Sequence, residues 1–326
     1  MVQGEAFADA WIAAWNQHDL AATLSHNGED TVFVSPTAAR ITGEGLRFGP
    51  DGLAVEAAAP AAAQRGPVSE QAAPTAADWR TPDAEDVMVI DTNKGRIFVE
   101  LAPRLAPTHV ERIRTLTRRG FYDGRSFFRV IDVFMAQTGD PLDTGAGGSD
   151  LPDMSAEFTF RRGAADSFVP VADTGGSQTG FVGVVPVMTQ SPMLMAMTAD
   201  RKITAWALFC PGVAGMARGS EEDSANSQFF LMRQAYPSLE KRYTAFGRVV
   251  AGLEVVRAIK TGEPVAAPQD QMTKVRMLAD IPAAERPALR VVDTAGPWFA
   301  AQVAQQRAED GADFSACNLK IPSEVK

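Results

Sequence analysis

Residues 121–141 read FYDGRSFFRVIDVFMAQTGDP, and the fold turns on how this stretch is read. Within it one arginine, Arg129, stands in a run over 126–136 otherwise dominated by Phe, Val, Ile and Met, with Gln137 eight residues further on. An unpaired guanidinium on an apolar surface is costly, so the pattern calls for a partner or a ligand. The competing reading is a partly buried arginine paired with a nearby carboxylate, Asp132 or Asp140.

Two further blocks follow downstream in order. Gly215-Met216-Ala217-Arg218 leads to Asn226-Ser227-Gln228-Phe229-Phe230-Leu231, and residues 243–249 read YTAFGRV. Upstream, Val87–Ile90 and Ile97–Leu101 flank Asn93-Lys94-Gly95, a hairpin signal. Pro107 opens a helix with Val110, Ile113 and Leu116 on one face, and Gly120 ends it. A second short helix, 253–260, lies between Gly252 and Gly262. Short strands with Gly-rich turns fill most of the interval, the pattern of an antiparallel sheet or barrel.

The three ordered blocks resemble the signatures of the cyclophilin family of peptidyl-prolyl cis-trans isomerases. The resemblance implies a mainly β fold: an eight-stranded antiparallel β-barrel capped by two helices, with an inserted β-hairpin region and helical N- and C-terminal appendages. By position, Arg129 matches the catalytic arginine and Gln137 the side chain that orients it and hydrogen-bonds substrate. Phe134, Met135, Phe230 and Leu239 match the walls of the proline pocket. Ala217 and Arg218 fall on the strand that binds residues before proline, Gln228 lines the neighbouring pocket, and Tyr243 takes a rim position. Three departures stand out. Phe128 replaces a histidine common beside the arginine, and Ser238 replaces the tryptophan of cyclosporin-sensitive members. Arg218 replaces an asparagine, which narrows the groove or favours acidic residues before proline.

The implied chemistry needs no nucleophile, cofactor or metal. Rotation about an X–Pro bond is slowed by a barrier of ~18–20 kcal/mol, although cis and trans lie close in energy. A donor aimed at the prolyl nitrogen weakens the amide resonance, and each ~1.4 kcal/mol of preferential stabilisation gives a factor of ten. The expected partners are unfolded or flexible proline-containing polypeptides, met by a monomer. The rival reading is a proline-segment binding module or chaperone with little turnover.

The expected divisions are a SnoaL-like segment (1–50), a linker (51–85), the isomerase domain (86–280) and a C-terminal extension (281–326). In the first, Phe7, Trp11 and Trp15 give an amphipathic helix over 5–25, with a strand at Thr31–Val34. Its sequence from Ala14 onward resembles the start of a SnoaL-like member of the NTF2-like fold. The second is rich in Ala and Pro and has no apolar period. Within the isomerase domain an insertion runs over about 165–209, with Met193, Met195 and Met197 on one face of a strand. Those methionines read as packing on the barrel, as a substrate-contacting flap, or as a copper(I) site. In the last segment a strand at Arg290–Val292 precedes a helix from Pro297 through Arg307, striped by Phe299 and Val303.

A net charge of −9 argues against nucleic acid and anionic membrane surfaces, and no apolar run is long enough to span a bilayer. Glu5, Asp9 and Asp19 make the first twenty residues unlike a secretory signal. Cys210 and Cys317 read as two thiols or as a bridge worth ~4–5 kcal/mol. Gly145–Ser149 (GAGGS) is Gly-rich but lacks the Lys-Ser/Thr of a phosphate loop.

Overall fold

A computed structural model describes residues 72–326, together with two strands of the amino-terminal unit, β1 (Arg47–Gly49) and β2 (Gly52–Ala54). The chain divides into two units, Met1–Glu70 and Gln71–Lys326. In the first, β1 and β2 pair antiparallel with Phe48 opposite Leu53. The helix expected over 5–25 and the strand at Thr31–Val34 lie outside the described residues. The stretch read as a linker over 51–85 differs at its end. Ala76–Asp78 forms a 3-10 turn, and β3 (Trp79–Arg80) pairs with a strand of the C-terminal extension.

The second unit opens with β4 (Val87–Thr92) and β5 (Gly95–Leu101), joined at Asn93-Lys94 as the turn chemistry requires. Helix α1 (Pro107–Arg118) follows, then β6 (Arg129–Val130) and β7 (Met135–Thr138). Five strands come next: β8 (Phe160–Gly163), β9 (Val169–Asp173), β10 (Ser177–Val182), β11 (Val185–Gln190) and β12 (Lys202–Ala207). The chain returns through β13 (Val213–Met216), β14 (Phe229–Met232), β15 (Ala245–Ala251), α2 (Leu253–Ala258) and β16 (Met272–Met277). It ends with β17 (Leu289–Val292), α3 (Pro297–Asp310) and β18 (Ser323–Val325).

The eight-stranded antiparallel sheet has the order β16-β4-β5-β15-β13-β14-β7-β6. Its two edges meet through bridges Ser126–Gln271 and Val130–Gly262, which curl it toward a barrel. Met88, Ile90, Ile97, Val99, Phe229 and Phe246 fill the interior, with Val110, Ile113 and Leu116 of α1 and Val256 of α2 packed against them. These four helical side chains are fully buried.

The run Val87-Met88-Val89-Ile90 is buried on both faces. Met88 and Ile90 point inward, while Val87 and Val89 join a second core with Phe98, Phe181, Val187, Val291 and Phe299. The barrel's outer surface is therefore a core of its own, covered by the inserted sheet and the C-terminal extension. Burying each such side chain stabilises by about 1.5–3 kcal/mol. Phe299 and Val303 face inward as their spacing predicted, and Phe299 meets Phe181 edge-on at 5.2 Å. Cys210 and Cys317 form a disulfide, 107 residues apart, tying the extension to the end of the insertion.

The insertion is larger than the expected hairpin region. Its strands make a separate sheet, β8-β12-β11-β10-β9, and the apolar stretch at 181–188 breaks at Gly183, whose φ of 57° suits glycine. Residues 192–197 are not a strand but a 3-10 helix opened by Pro192, which has no N–H for a ladder. At about three residues per turn, Met193, Met195 and Met197 point in three directions and share no face for an ion. Met193 and Met197 are about four-fifths exposed (81% and 82%), so they do not pack on the barrel either.

Candidate active site

Cross-strand register brings the key residues together. Arg129 on β6 lies opposite Gln137 on β7, and Gln137 lies opposite Phe230 on β14. Arg129 Nη1 donates to Gln137 Oε1 at 3.3 Å, and Gln137 Nε2 donates to Gln228 Oε1 at 2.9 Å. Gln228 Nε2 in turn donates to the carbonyls of Gly145 (3.0 Å) and Gly147 (2.8 Å). The result is a directed amide chain from a guanidinium to a Gly-rich loop.

Arg129 pairs with neither carboxylate considered from sequence. Asp132 bonds Arg233 at 2.6 Å. Fully buried Asp140 accepts from the amides of Leu142 (2.7 Å), Thr144 (3.0 Å) and Gly145 (2.6 Å). The partner of Arg129 is Glu263, whose Oε1 accepts from Arg129 Nε at 2.6 Å. Both side chains are part-exposed (35% and 56%), so water screens the pair, and it orients the guanidinium more than it neutralises it.

Beside this polar line lies an apolar floor. Met135, Phe230 and Leu239 are buried in one cluster, onto which Phe134, Ala217 and Tyr243 pack. The Phe230 ring contacts Tyr243 edge-on at 5.9 Å and is backed by Phe209 at 6.0 Å. Gly215 leaves the room for that backing, since a Cβ there would lie 2.6 Å from Phe230 and 2.8 Å from Phe209. Phe128 is buried beside the loop at Gly145 and offers no polar atom at the site.

A cleft of about 400 Å³ adjoins the floor, bounded by Gln137, Gln228, Ala217, Arg218, Asn226 and the loop at Gly145–Gly148. Arg218 is held on its wall by the carbonyls of Arg242, Gly219 and Ser220, with its guanidinium 4.7 Å from the Tyr243 ring centre. It makes no ion pair with any described carboxylate, so its charge remains available. No group of three or more His, Cys, Asp or Glu side chains placed to hold a metal ion occurs among the described residues.

All ten residues singled out from sequence lie on this polar line, the apolar floor or the cleft. Four others were missed. Glu263 is far from Arg129 in sequence and carries no local signal. Asp140, which from sequence offers itself as a partner for Arg129, instead pins the loop whose carbonyls hold Gln228. Gly147 has no room for a side chain, because a Cβ would overlap the Asp140 carboxylate. Tyr236 stacks on Phe134 at 4.3 Å, just ahead of exposed Ser238, and so returns an aromatic ring to that rim.

The arrangement places fixed N–H donors beside an apolar slot, where a pre-oriented donor can act on developing lone-pair density. The family model described as "Cyclophilin type peptidyl-prolyl cis-trans isomerase/CLD" matches residues 87–279. A "Probable peptidyl-prolyl cis-trans isomerase" of Brucella suis is 34% identical over 191 residues, covering 55% of this chain and 74% of that protein. The peptidyl-prolyl cis-trans isomerase CYP71 of Arabidopsis thaliana is 29% identical over 180 residues, covering 55% of this chain and 22% of that protein. The crystal structure of cyclophilin AquaCyp293 from Hirschia baltica superposes with a TM-score of 0.70 at 34% identity, covering 76% of this chain and 93% of that one. Matched along its whole barrel, the chain belongs to the cyclophilin-type peptidyl-prolyl cis-trans isomerases and speeds rotation about X–Pro bonds in protein substrates.

Proposed function

We propose that Arg129 is the catalytic residue and that a substrate proline sits on Phe134, Met135, Phe230 and Leu239. In the twisted state the prolyl nitrogen loses conjugation and gains basicity. An Arg129 N–H aimed at that nitrogen stabilises this state more than either planar isomer. Gln137 holds the guanidinium's angle and offers its amide to the substrate backbone. Gln228, Ala217, Arg218 and Tyr243 receive the residues before proline in extended form. The observation that carries this reading is the pairing of Arg129 Nη1 with Gln137 Oε1 directly across two strands.

Flexible or unfolded segments are the favoured substrates, since the slot must accept a backbone that twists while bound. The unpaired charge of Arg218 on the cleft wall favours an acidic residue before proline. A protease-coupled assay on proline peptides tests the assignment. Arg129→Ala is expected to lower kcat/KM by about a hundredfold, the scale of one well-placed donor. A variant as fast as the parent would remove Arg129 from the mechanism, and indifference to Glu against Lys before proline would remove Arg218 from specificity.

A further inference from the structure

Arg248 on β15 faces Glu100 across the sheet, but Glu100 gives its carboxylate to Arg80 at 2.8 Å. Arg248 is 8% exposed and pairs with no described carboxylate. Its protein acceptor is the carbonyl of Val184, 3.0 Å from Nη1, and the other N–H groups have none among the described residues. Burial pushes the guanidinium down to about 10, with no neighbouring charge to offset it. A buried cation kept without a counter-charge is costly.

That side chain lines a second cleft of about 400 Å³, bordered also by residues 317–321 of the C-terminal extension. The disulfide at Cys317 fixes this wall against the barrel. Leu253 and Ile321 supply apolar surface, and Arg257 and Lys320 line the cleft against one acidic residue, Glu254. Lys320 is exposed and makes no hydrogen bond or ion pair with the described residues.

We infer that this cleft binds a small monocarboxylate on an aliphatic body, its carboxylate held by Arg248 and its hydrocarbon lying along Leu253 and Ile321. A planar guanidinium matches a carboxylate in a two-point contact. At ~30 Å³ per water-sized volume the space holds roughly a dozen such units, enough for a short-chain acid with room to spare. A compact dianion such as phosphate would leave the apolar wall wet.

Amide NMR of the intact oxidised protein, titrated with hexanoate, hexanamide and inorganic phosphate, tests the inference. Hexanoate should give saturable shifts at Leu319 and Ile321. Hexanamide and phosphate should bind at least about tenfold more weakly, the equivalent of ~1.4 kcal/mol. Arg248→Met should weaken hexanoate about tenfold or more, and Lys320→Ala, at an exposed position, roughly two- to threefold. If Arg248→Met does not fold, Lys320→Ala and the neutral amide decide. Equal binding of acid and amide, tighter phosphate, shifts elsewhere, no saturable shift, or undiminished affinity in the folded variants would each overturn it.

Discussion

Replacing Gln137 by methionine probes the amide chain with little change in volume. The side chain keeps its length on β7 but loses both the acceptor for Arg129 Nη1 (3.3 Å) and the donor to Gln228 Oε1 (2.9 Å). The first bond involves a charged group but is long, so it sits near ~1.5 kcal/mol, and the neutral amide pair adds ~1 kcal/mol. If both are needed in the twisted state, the loss is about 2–3 kcal/mol, or roughly 30- to 160-fold in kcat/KM. Gln228→Met cuts the second bond, together with those to the Gly145 and Gly147 carbonyls, and spares the first, so it should cost about fivefold or somewhat more. The double variant should cost less than the product of the two, because they share a bond. Protease-coupled kinetics would read these rates, with thermal melts confirming an intact barrel. A folded Gln137→Met enzyme within twofold of the parent would refute the claim that this chain positions the arginine.

Glu263→Gln removes a carboxylate 2.6 Å from Arg129 Nε, and since the pair is part-exposed kcat/KM should fall only about two- to fivefold. Added salt should slow the parent more than this variant, and equal salt dependence would argue against an orienting role. Burial raises the Asp140 carboxyl, but the amides of Leu142, Gly147, Gly145 and Thr144 outweigh it and hold it below the ordinary 3.8. Its stabilisation is therefore complete above that value and lost as pH falls through the lower folded one. Urea midpoints from pH 5 to 2 should drop more steeply for the parent than for Asp140→Asn, and parallel profiles would contradict this. Cys317→Ala opens a loop spanning 107 residues, with an expected loss of about 3–5 kcal/mol by urea unfolding. A loss under ~1 kcal/mol would mean that the oxidised and reduced unfolded chains differ little.

Individual elements were legible from local pattern, and the barrel and its candidate site through the resemblance of three ordered blocks to a known family. Asn93-Lys94-Gly95 fixed one hairpin, and the one-sided spacing of Val110, Ile113 and Leu116 fixed a capping helix. That Gln137 stands by Arg129 was implied by the family resemblance, and the register of β6 and β7 sets the two opposite one another. Contacts between distant segments were not legible. Nothing near Arg129 announces Glu263, and nothing near Phe230 announces Phe209 behind it. The apolar run at 87–90 signalled burial, but not that its outer face is covered by an inserted sheet and a C-terminal helix. Whether Cys210 and Cys317 meet, and whether Arg248 is left without a counter-charge, are likewise settled by packing. Sequence spacing encodes dihedral preference and the face a side chain takes. Which segments then lie against one another depends on the summed burial of the whole chain, and only the folded molecule carries out that sum.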